Sequence, residues 1–245
     1  IMKLEQYLLV IQDFIKDYLT KSHTDGFVLG VSGGIDSALV LALAVKAVGK
    51  DKVYGLIMPC ESDPSDAKDA IELCEKFQIK YEIYNLYNSF EALKNIILEK
   101  HPLNNMSKAN IKVRLRMVTL YAVAQTRNAL VLGTDNKDEI HVGYFTKYGD
   151  GGVDLLPIAR LIKKEVFEAS RIMGVTDAIL NKKPSAGLWP GQTDEDELGV
   201  TYEELDNYLL GKEISLKAKE RIDHLHRISE HKRSLIPVPE DFIRD

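Results

Sequence analysis

Hydrophobic residues along this chain follow two alternating patterns, stripes with the helical period and short continuous apolar runs. The stripes predict helices, and the short runs bounded by turn residues predict buried strands. Helices are expected over residues 3–21, 37–48, 65–77, 90–99, 108–125, 163–173, 202–209 and 216–231. Strands are expected over residues 27–31, 53–58, 80–85 and 129–132.

This alternation of strands and helices predicts the fold class. Right-handed crossovers between parallel strands place helices on both faces of a sheet. The expected fold is therefore α/β, a doubly wound parallel sheet flanked by helices, with extra helices at the C-terminal end. No repeat or linker interrupts the sequence, so one domain is expected over residues 1–245, with Ile1 before Met2 set aside as an expected cloning remnant.

Two polar stretches, residues 133–157 and 181–199, separate predicted elements, and the first begins at the carboxyl end of a predicted strand. Ligands of parallel sheets bind beyond the carboxyl ends of the strands, so the loops after Val31, Met58 and Leu132 are expected to meet there. Residues 133–157 are expected to be a loop. Residues 181–199 are either a mobile lid or a solvated surface loop, and their composition favours neither interpretation.

Composition and charge narrow the class of protein. A hydrophobic content of 45% suffices for a buried core. No apolar run approaches the roughly 18 to 20 residues of a membrane span, and no secretion signal precedes the first helix, so a cytoplasmic protein without a membrane partner is expected. The net charge of −5 argues against a broad basic face for nucleic acid.

The turn after the first strand carries the strongest chemical signal. A strand, a glycine-rich turn and a helix in this order form an anion site, because unpaired backbone N–H groups at the helix start point at the ligand. A Walker loop would need Gly and Lys where Ile35 and Asp36 stand, and the dinucleotide pattern fails at Ser32. The candidate phosphate loop consists of Gly30, Val31, Ser32, Gly33, Gly34, Ile35, Asp36 and Ser37.

A carboxylate beside a phosphate site needs a cation between them. Magnesium bridging Asp36 to phosphate oxygens would satisfy this need, with the hydroxyls of Ser32 and Ser37 as further donors. The alternative is that Asp36 and Ser37 only cap the following helix. The glycine pair and the preceding strand favour the phosphate site.

The hexapeptide from Ser32 to Ser37 resembles the signature of the ATP pyrophosphatase (PP-loop) family. Four later segments, in this order and spacing, resemble the NAD synthetase family nearly end to end. They are residues 133–139, 143–157, 182–188 and 230–233. The resemblance implies an enzyme that uses ATP and ammonia to amidate deamido-NAD, giving NAD, AMP and pyrophosphate. Free ammonia is the expected nitrogen source, because the core leaves no room for a glutamine-hydrolysing domain.

The resemblance also implies roles for single residues. Asp36 and Glu139 would hold magnesium, and Thr134, Lys163 and Ser185 would join the phosphate loop in binding ATP. The family has threonine where Ser185 stands, so a hydroxyl is kept and a methyl is lost. The residues implied to bind deamido-NAD are Arg114, Lys147, Asp154, His231 and Lys232. Asp36, Asp154 and Lys163 are the residues with implied catalytic roles.

Some alternatives stay open at this point. Asp154 is either a general base for ammonia or a residue that fixes the substrate by a hydrogen bond. The resemblance implies a homodimer with substrate at the interface, and the helix over 108–125 is apolar on several sides, but it could instead be central to its own subunit. Another PP-loop ligase or a non-catalytic nucleotide sensor are the competing functions.

Overall fold

The computed structural model describes residues 2–185 and 193–244, and its centre is a parallel sheet of four strands in the order β3-β2-β1-β4. In the middle of the sheet, Val28 lies opposite Tyr54 on one side and Val131 on the other. An isolated bridge from Leu132 to Leu155 lies beyond β4. The strands are β1 (Gly26–Gly30), β2 (Val53–Ile57), β3 (Lys80–Ile83) and β4 (Ala129–Leu132).

Helices cover both faces of this sheet, which confirms the predicted fold class. Each predicted helix is present, with ends shifted by up to three residues. The α-helices are α1 (Leu4–Ser22), α2 (Ile35–Val48), α3 (Pro64–Lys76), α4 (Tyr87–Leu98), α5 (Asn105–Thr126), α6 (Lys137–Val142), α7 (Lys163–Ile172), α8 (Asp177–Leu180), α9 (Asp194–Leu198), α10 (Tyr202–Leu209) and α11 (Leu216–Ile228). Residues 50–52 and 230–232 form short 3-10 turns.

The core has three parts. One face of the sheet packs against α1, α2 and α7, and α2 is buried nearly all round because its side chains are apolar on every side. The opposite face packs against α4 and α5. A smaller cluster joins α6 to α9, α10 and α11, so the C-terminal helices close over the region just after β4.

The two polar stretches contain short helices that the hydrophobic pattern does not predict. The predicted loop over 133–157 contains α6, which begins with a reciprocal capping box between Asn136 and Glu139. A helix of six residues is too short to show a hydrophobic period, which is why the pattern misses it. The proposed lid over 181–199 contains α9 and falls partly on residues 186–192, outside the described residues. Within the described ranges, no helix is both long and apolar enough to span a bilayer.

Candidate active site

A cleft of about 1040 Å³ opens at the carboxyl ends of the strands. The loops after β1, β2 and β4 all line it, as the strand pattern predicts. All eight residues of the phosphate loop line the cleft, together with Thr134, Glu139, Ser185 and Lys232. The loop and these four residues, far apart in the sequence, therefore share one space.

The phosphate loop is held in shape by its own hydroxyls. Ser37 Oγ donates to the carbonyl of Gly34 at 3.1 Å and accepts from the amide of Ser32 at 3.2 Å. Ser32 Oγ accepts from the Gly34 amide at 3.2 Å. The cap position of α2 is Gly34, which supplies no side-chain cap, so the capping role does not account for Asp36. The helix start is left suited to an anionic ligand.

Gly33 is the position where this loop depends on glycine. Its φ is +79°, and a Cβ there would lie 2.4 Å from the carbonyl oxygen of Asp66. Both the positive φ and the backbone clash oppose any side chain. We expect Gly33→Ala to lower the free energy of unfolding by about 2 kcal/mol or more. Urea denaturation without nucleotide measures this change.

Gly34→Ala is the matched control for that substitution. Gly34 has φ of −93°, and its added Cβ would approach only the Ser32 hydroxyl, at 3.3 Å. The alanine variant should keep a stability close to that of the unsubstituted chain. Equal losses in the two variants would contradict the role given to Gly33.

A buried ion-pair centre lies at the first turn of α2. Lys163, at the start of α7 and 2% exposed, places Nζ 2.7 Å from Asp36 Oδ2 and 3.5 Å from Glu139 Oε1. Burial lowers the pKa of Lys163, but the two carboxylates outweigh burial and leave that pKa raised. Burial and the charge of Asp36 raise the pKa of Glu139 to about 8, although Lys163 opposes the rise. The centre therefore sets two carboxyl groups against one ammonium group, and one of the two carboxyls takes up a proton readily.

Neighbouring polar groups fix this centre. The side-chain amide of Asn136 donates to Asp36 Oδ1 at 2.9 Å, and its backbone amide donates to Glu139 Oε2 at 3.0 Å. The backbone amide of Lys163 donates to Asp138 at 2.7 Å and to Asp206 at 3.0 Å. Sequence reasoning missed Asn136, although its spacing from Glu139 is that of a capping box.

Lys232 is anchored at the far side of the cleft. Its Nζ donates to the carbonyl oxygens of Gly143 at 2.7 Å and Phe145 at 2.6 Å, and it lies 5.2 Å from the Phe145 ring. These contacts tie the C-terminal 3-10 turn to the segment after α6. Backbone carbonyls therefore hold the Lys232 ammonium group next to the cleft.

The remaining predicted substrate residues lie outside the lining of the cleft. Both Nε and Nη2 of Arg114 donate to the carbonyl of Lys147, at 3.2 and 3.1 Å. Lys147 Nζ in turn donates to the carbonyl of His231 at 2.8 Å. Asp154 accepts from Tyr121 Oη at 3.1 Å and from the amide of Val131 at 2.8 Å. Both oxygens of Asp154 are thus engaged in an exposed position.

A parallel sheet, a non-Walker phosphate loop and a carboxylate–lysine centre beside that loop define a nucleotide-binding α/β protein of the PP-loop class. The family model described as NAD synthase matches residues 7–236, and the chain belongs to this family.

Individual relatives agree with this assignment. The chain is 49% identical to the NH(3)-dependent NAD(+) synthetase of Mesoplasma florum over 99% of this chain and 100% of that protein. The NMN synthetase structure from Francisella tularensis matches with a TM-score of 0.94 and 42% identity, covering 98% of this chain and 100% of that one. The NH3-dependent NAD synthetase structure from Campylobacter jejuni matches with a TM-score of 0.81 and 29% identity, with the same coverage.

Proposed function

We propose that this chain is an ammonia-dependent NAD synthetase, which amidates deamido-NAD at the expense of ATP. The observation that supports this function most is the Asp36–Lys163–Glu139 centre beside the phosphate loop. Relatives of this chain are called NH(3)-dependent NAD(+) synthetases, and this name supports deamido-NAD as the acid that is amidated and free ammonia as the nitrogen source. The domain proposed to carry this activity is the whole chain, residues 1–245, and its proposed location is the cytoplasm, with no nucleic-acid or membrane partner.

The reaction proceeds in two steps that this site can serve. A nicotinate carboxylate oxygen bonds to the α-phosphorus of ATP, and the bond to the bridging oxygen breaks to release pyrophosphate. Ammonia then bonds to the acyl carbon, AMP departs with its oxygen, and the nitrogen loses a proton. Lys163 and the phosphate loop stabilise the negative charge that develops on the departing pyrophosphate. Thr134 and Ser185 line the cleft as hydroxyl contacts for ATP.

Magnesium is the proposed cofactor, and Asp36 and Glu139 are the residues that would hold it. The described residues contain no cluster of three or more His, Cys, Asp or Glu side chains suited to a metal. Magnesium commonly needs only one or two carboxylates, with water and substrate phosphates completing the set. The two carboxyl groups of the centre, both on the lining of the cleft, fit this need, and a bound ion would polarise the phosphate oxygens.

Arg114, Lys147, Asp154, His231 and Lys232 are the proposed contacts for deamido-NAD. Of the two roles considered for Asp154, the structure favours fixing the substrate over acting as a base. The Tyr121 hydroxyl and the Val131 amide each donate to one oxygen and orient the carboxylate, and the remaining lone pairs can accept a hydrogen bond from the substrate. Asp154→Asn should therefore raise the KM for deamido-NAD without a large change in kcat.

A homodimer with substrate at its interface is the proposed assembly. Arg114, Val118 and Tyr121 follow one another at helical spacing on α5, and Val118 is 57% exposed. Arg114 and Val118 are exposed, and Tyr121, which donates to Asp154, is partly buried at the edge of the same stripe. Substrate residues on an apolar outward face are best explained if a second copy covers that face.

We expect Val118→Lys to break the dimer and to abolish most synthesis of NAD. An unpaired ammonium buried in an interface costs about 3 kcal/mol or more, which weakens association about a hundredfold. Leu9→Lys is the matched control, since Leu9 is 59% exposed on α1, across the sheet from α5. Analytical ultracentrifugation and turnover measure both variants. A dimeric, active Val118→Lys variant would exclude this face as the interface.

Nicotinic acid mononucleotide is a second candidate substrate. The high TM-score with the structure called NMN synthetase favours it, while the names of the curated relatives favour the dinucleotide. The test is kcat/KM for each acid with saturating ATP and ammonium. A larger value for deamido-NAD supports the first proposal, and a larger value for the mononucleotide would replace it with the second.

A further inference from the structure

Asp194 connects the C-terminal helices to the ion-pair centre. It is the first residue of α9, is 4% exposed and lines the cleft. The Tyr202 hydroxyl donates to Oδ2 at 2.8 Å, and the Tyr144 hydroxyl, whose nearer acceptor is Glu197 Oε2 at 2.5 Å, lies 3.1 Å from Oδ1. The carboxylate therefore joins α9, α10 and the segment after α6 at one point.

Tyr202 carries this connection to Lys163. Lys163 Nζ lies over the Tyr202 ring at 4.6 Å from its centroid. The ring is itself buried, at 7% exposure, and its hydroxyl lies 3.5 Å from Glu139 Oε1. Burial raises the pKa of the Asp194 carboxyl, and the charge of Lys163 opposes that rise. The ammonium group is thus bounded by two carboxylates on one side and an aromatic face on the other.

We propose that Tyr202 and Asp194 are positioning residues that hold the Lys163 ammonium group for pyrophosphate release. The hydrogen bond from Tyr202 to Asp194 fixes the ring in its plane, and the fixed ring limits where Lys163 Nζ can lie. A ring free to turn would leave the position of the ammonium group to be set by Asp36 and Glu139 alone. This inference rests on the proposed function, because it concerns the first chemical step.

The chain offers a matched pair of tyrosines on one helix to test this role. Tyr202 and Tyr208 both belong to α10, and Tyr208 Oη donates to Asp223 Oδ1 at 2.6 Å, outside the cleft lining. Phenylalanine at either position keeps the ring and removes one hydrogen bond to a carboxylate. The bond lost joins a phenol to a carboxylate in both variants, but Asp194 is 4% exposed and lies near Lys163, whereas the Asp223 side chain is 41% exposed.

The experiment measures ATP–pyrophosphate exchange with deamido-NAD present and ammonium absent. Tyr202→Phe and Asp194→Asn should each slow exchange about tenfold at saturating ATP, the scale of one hydrogen bond to a charged group. The double variant should lose no more than either single variant, because the two residues act together. Tyr208→Phe should exchange at the rate of the unsubstituted enzyme, and the KM for ammonium should stay unchanged throughout.

The outcomes separate this inference from the proposed function. If the unsubstituted enzyme shows no exchange with any nicotinate nucleotide, the proposed function fails. If it does exchange, and Tyr202→Phe matches Tyr208→Phe, the positioning role is wrong. A loss confined to thermal stability, with exchange unchanged at a temperature where the variants are folded, would also overturn it.

Discussion

Asp36→Asn and Glu139→Gln should each lower the turnover of deamido-NAD by at least about 10²-fold at saturating magnesium, the scale of losing one electrostatic contact to a transition state. Each change removes one of the two carboxylates that face Lys163 and line the cleft. The amide that replaces it keeps the shape but is a poor ligand for magnesium. Steady-state kinetics across a magnesium titration measure both the maximum rate and the half-saturating concentration.

Asp25 provides a control for the removal of a carboxylate charge outside the cleft. Asp25 precedes β1, at the opposite end of that strand from the phosphate loop, and bonds to the side chain of Asn128 at 3.1 Å. Asp25→Asn should leave turnover close to that of the unsubstituted enzyme. If Asp36→Asn retains near-normal turnover under saturating magnesium, the metal assignment is wrong.

Lys163→Met should reduce turnover by about 10²- to 10³-fold, because the variant loses the cation proposed to offset charge on the departing pyrophosphate. It should also destabilise the free enzyme by about 3 kcal/mol, since the partly buried Asp36 carboxylate is left without its counter-charge. Lys163 now lowers the pKa of Glu139, so that pKa should rise above about 8 in the variant. Turnover and urea denaturation measure the two effects separately.

Lys164→Met is the matched control, because the two lysines are adjacent and only one is buried. Lys164 is exposed, and its backbone amide, which donates to Asp206 at 3.1 Å, is unaffected by the change. The control should keep both the activity and the stability of the unsubstituted enzyme. Similar losses in the two variants would show that the charge of α7 matters as a whole, contrary to the role given to Lys163.

Much of the fold could be predicted because it depends on local patterns. The strands β1, β2 and β4 are short apolar runs, and α1 carries its buried residues on one stripe, so these elements are visible in the sequence. The helices α6, α8 and α9 were missed, since each has six residues or fewer and too few turns to show a period. Their formation depends on caps and on packing, which a hydrophobic pattern does not report.

The site divides in the same way between local and distant information. The phosphate loop is a local motif, and the structure places all of it in one cleft. The pairing of Asp36 with Lys163 joins residues 127 positions apart, and only the family resemblance pointed to Lys163. The sequence carries no indication of a role for Tyr202 or Asp194. Their proposed role depends on the packing of α9 and α10 against α6, which a local pattern does not report.

The most direct test of the account is a product analysis with MgATP, ammonium and deamido-NAD. The chain is incubated with all three, and NAD, AMP, ADP and pyrophosphate are quantified over time by chromatography. We predict that NAD, AMP and pyrophosphate form in equal amounts, and that none forms when the nicotinate nucleotide is omitted. ADP as the nucleotide product, or no turnover of either nicotinate nucleotide, would contradict the proposed function.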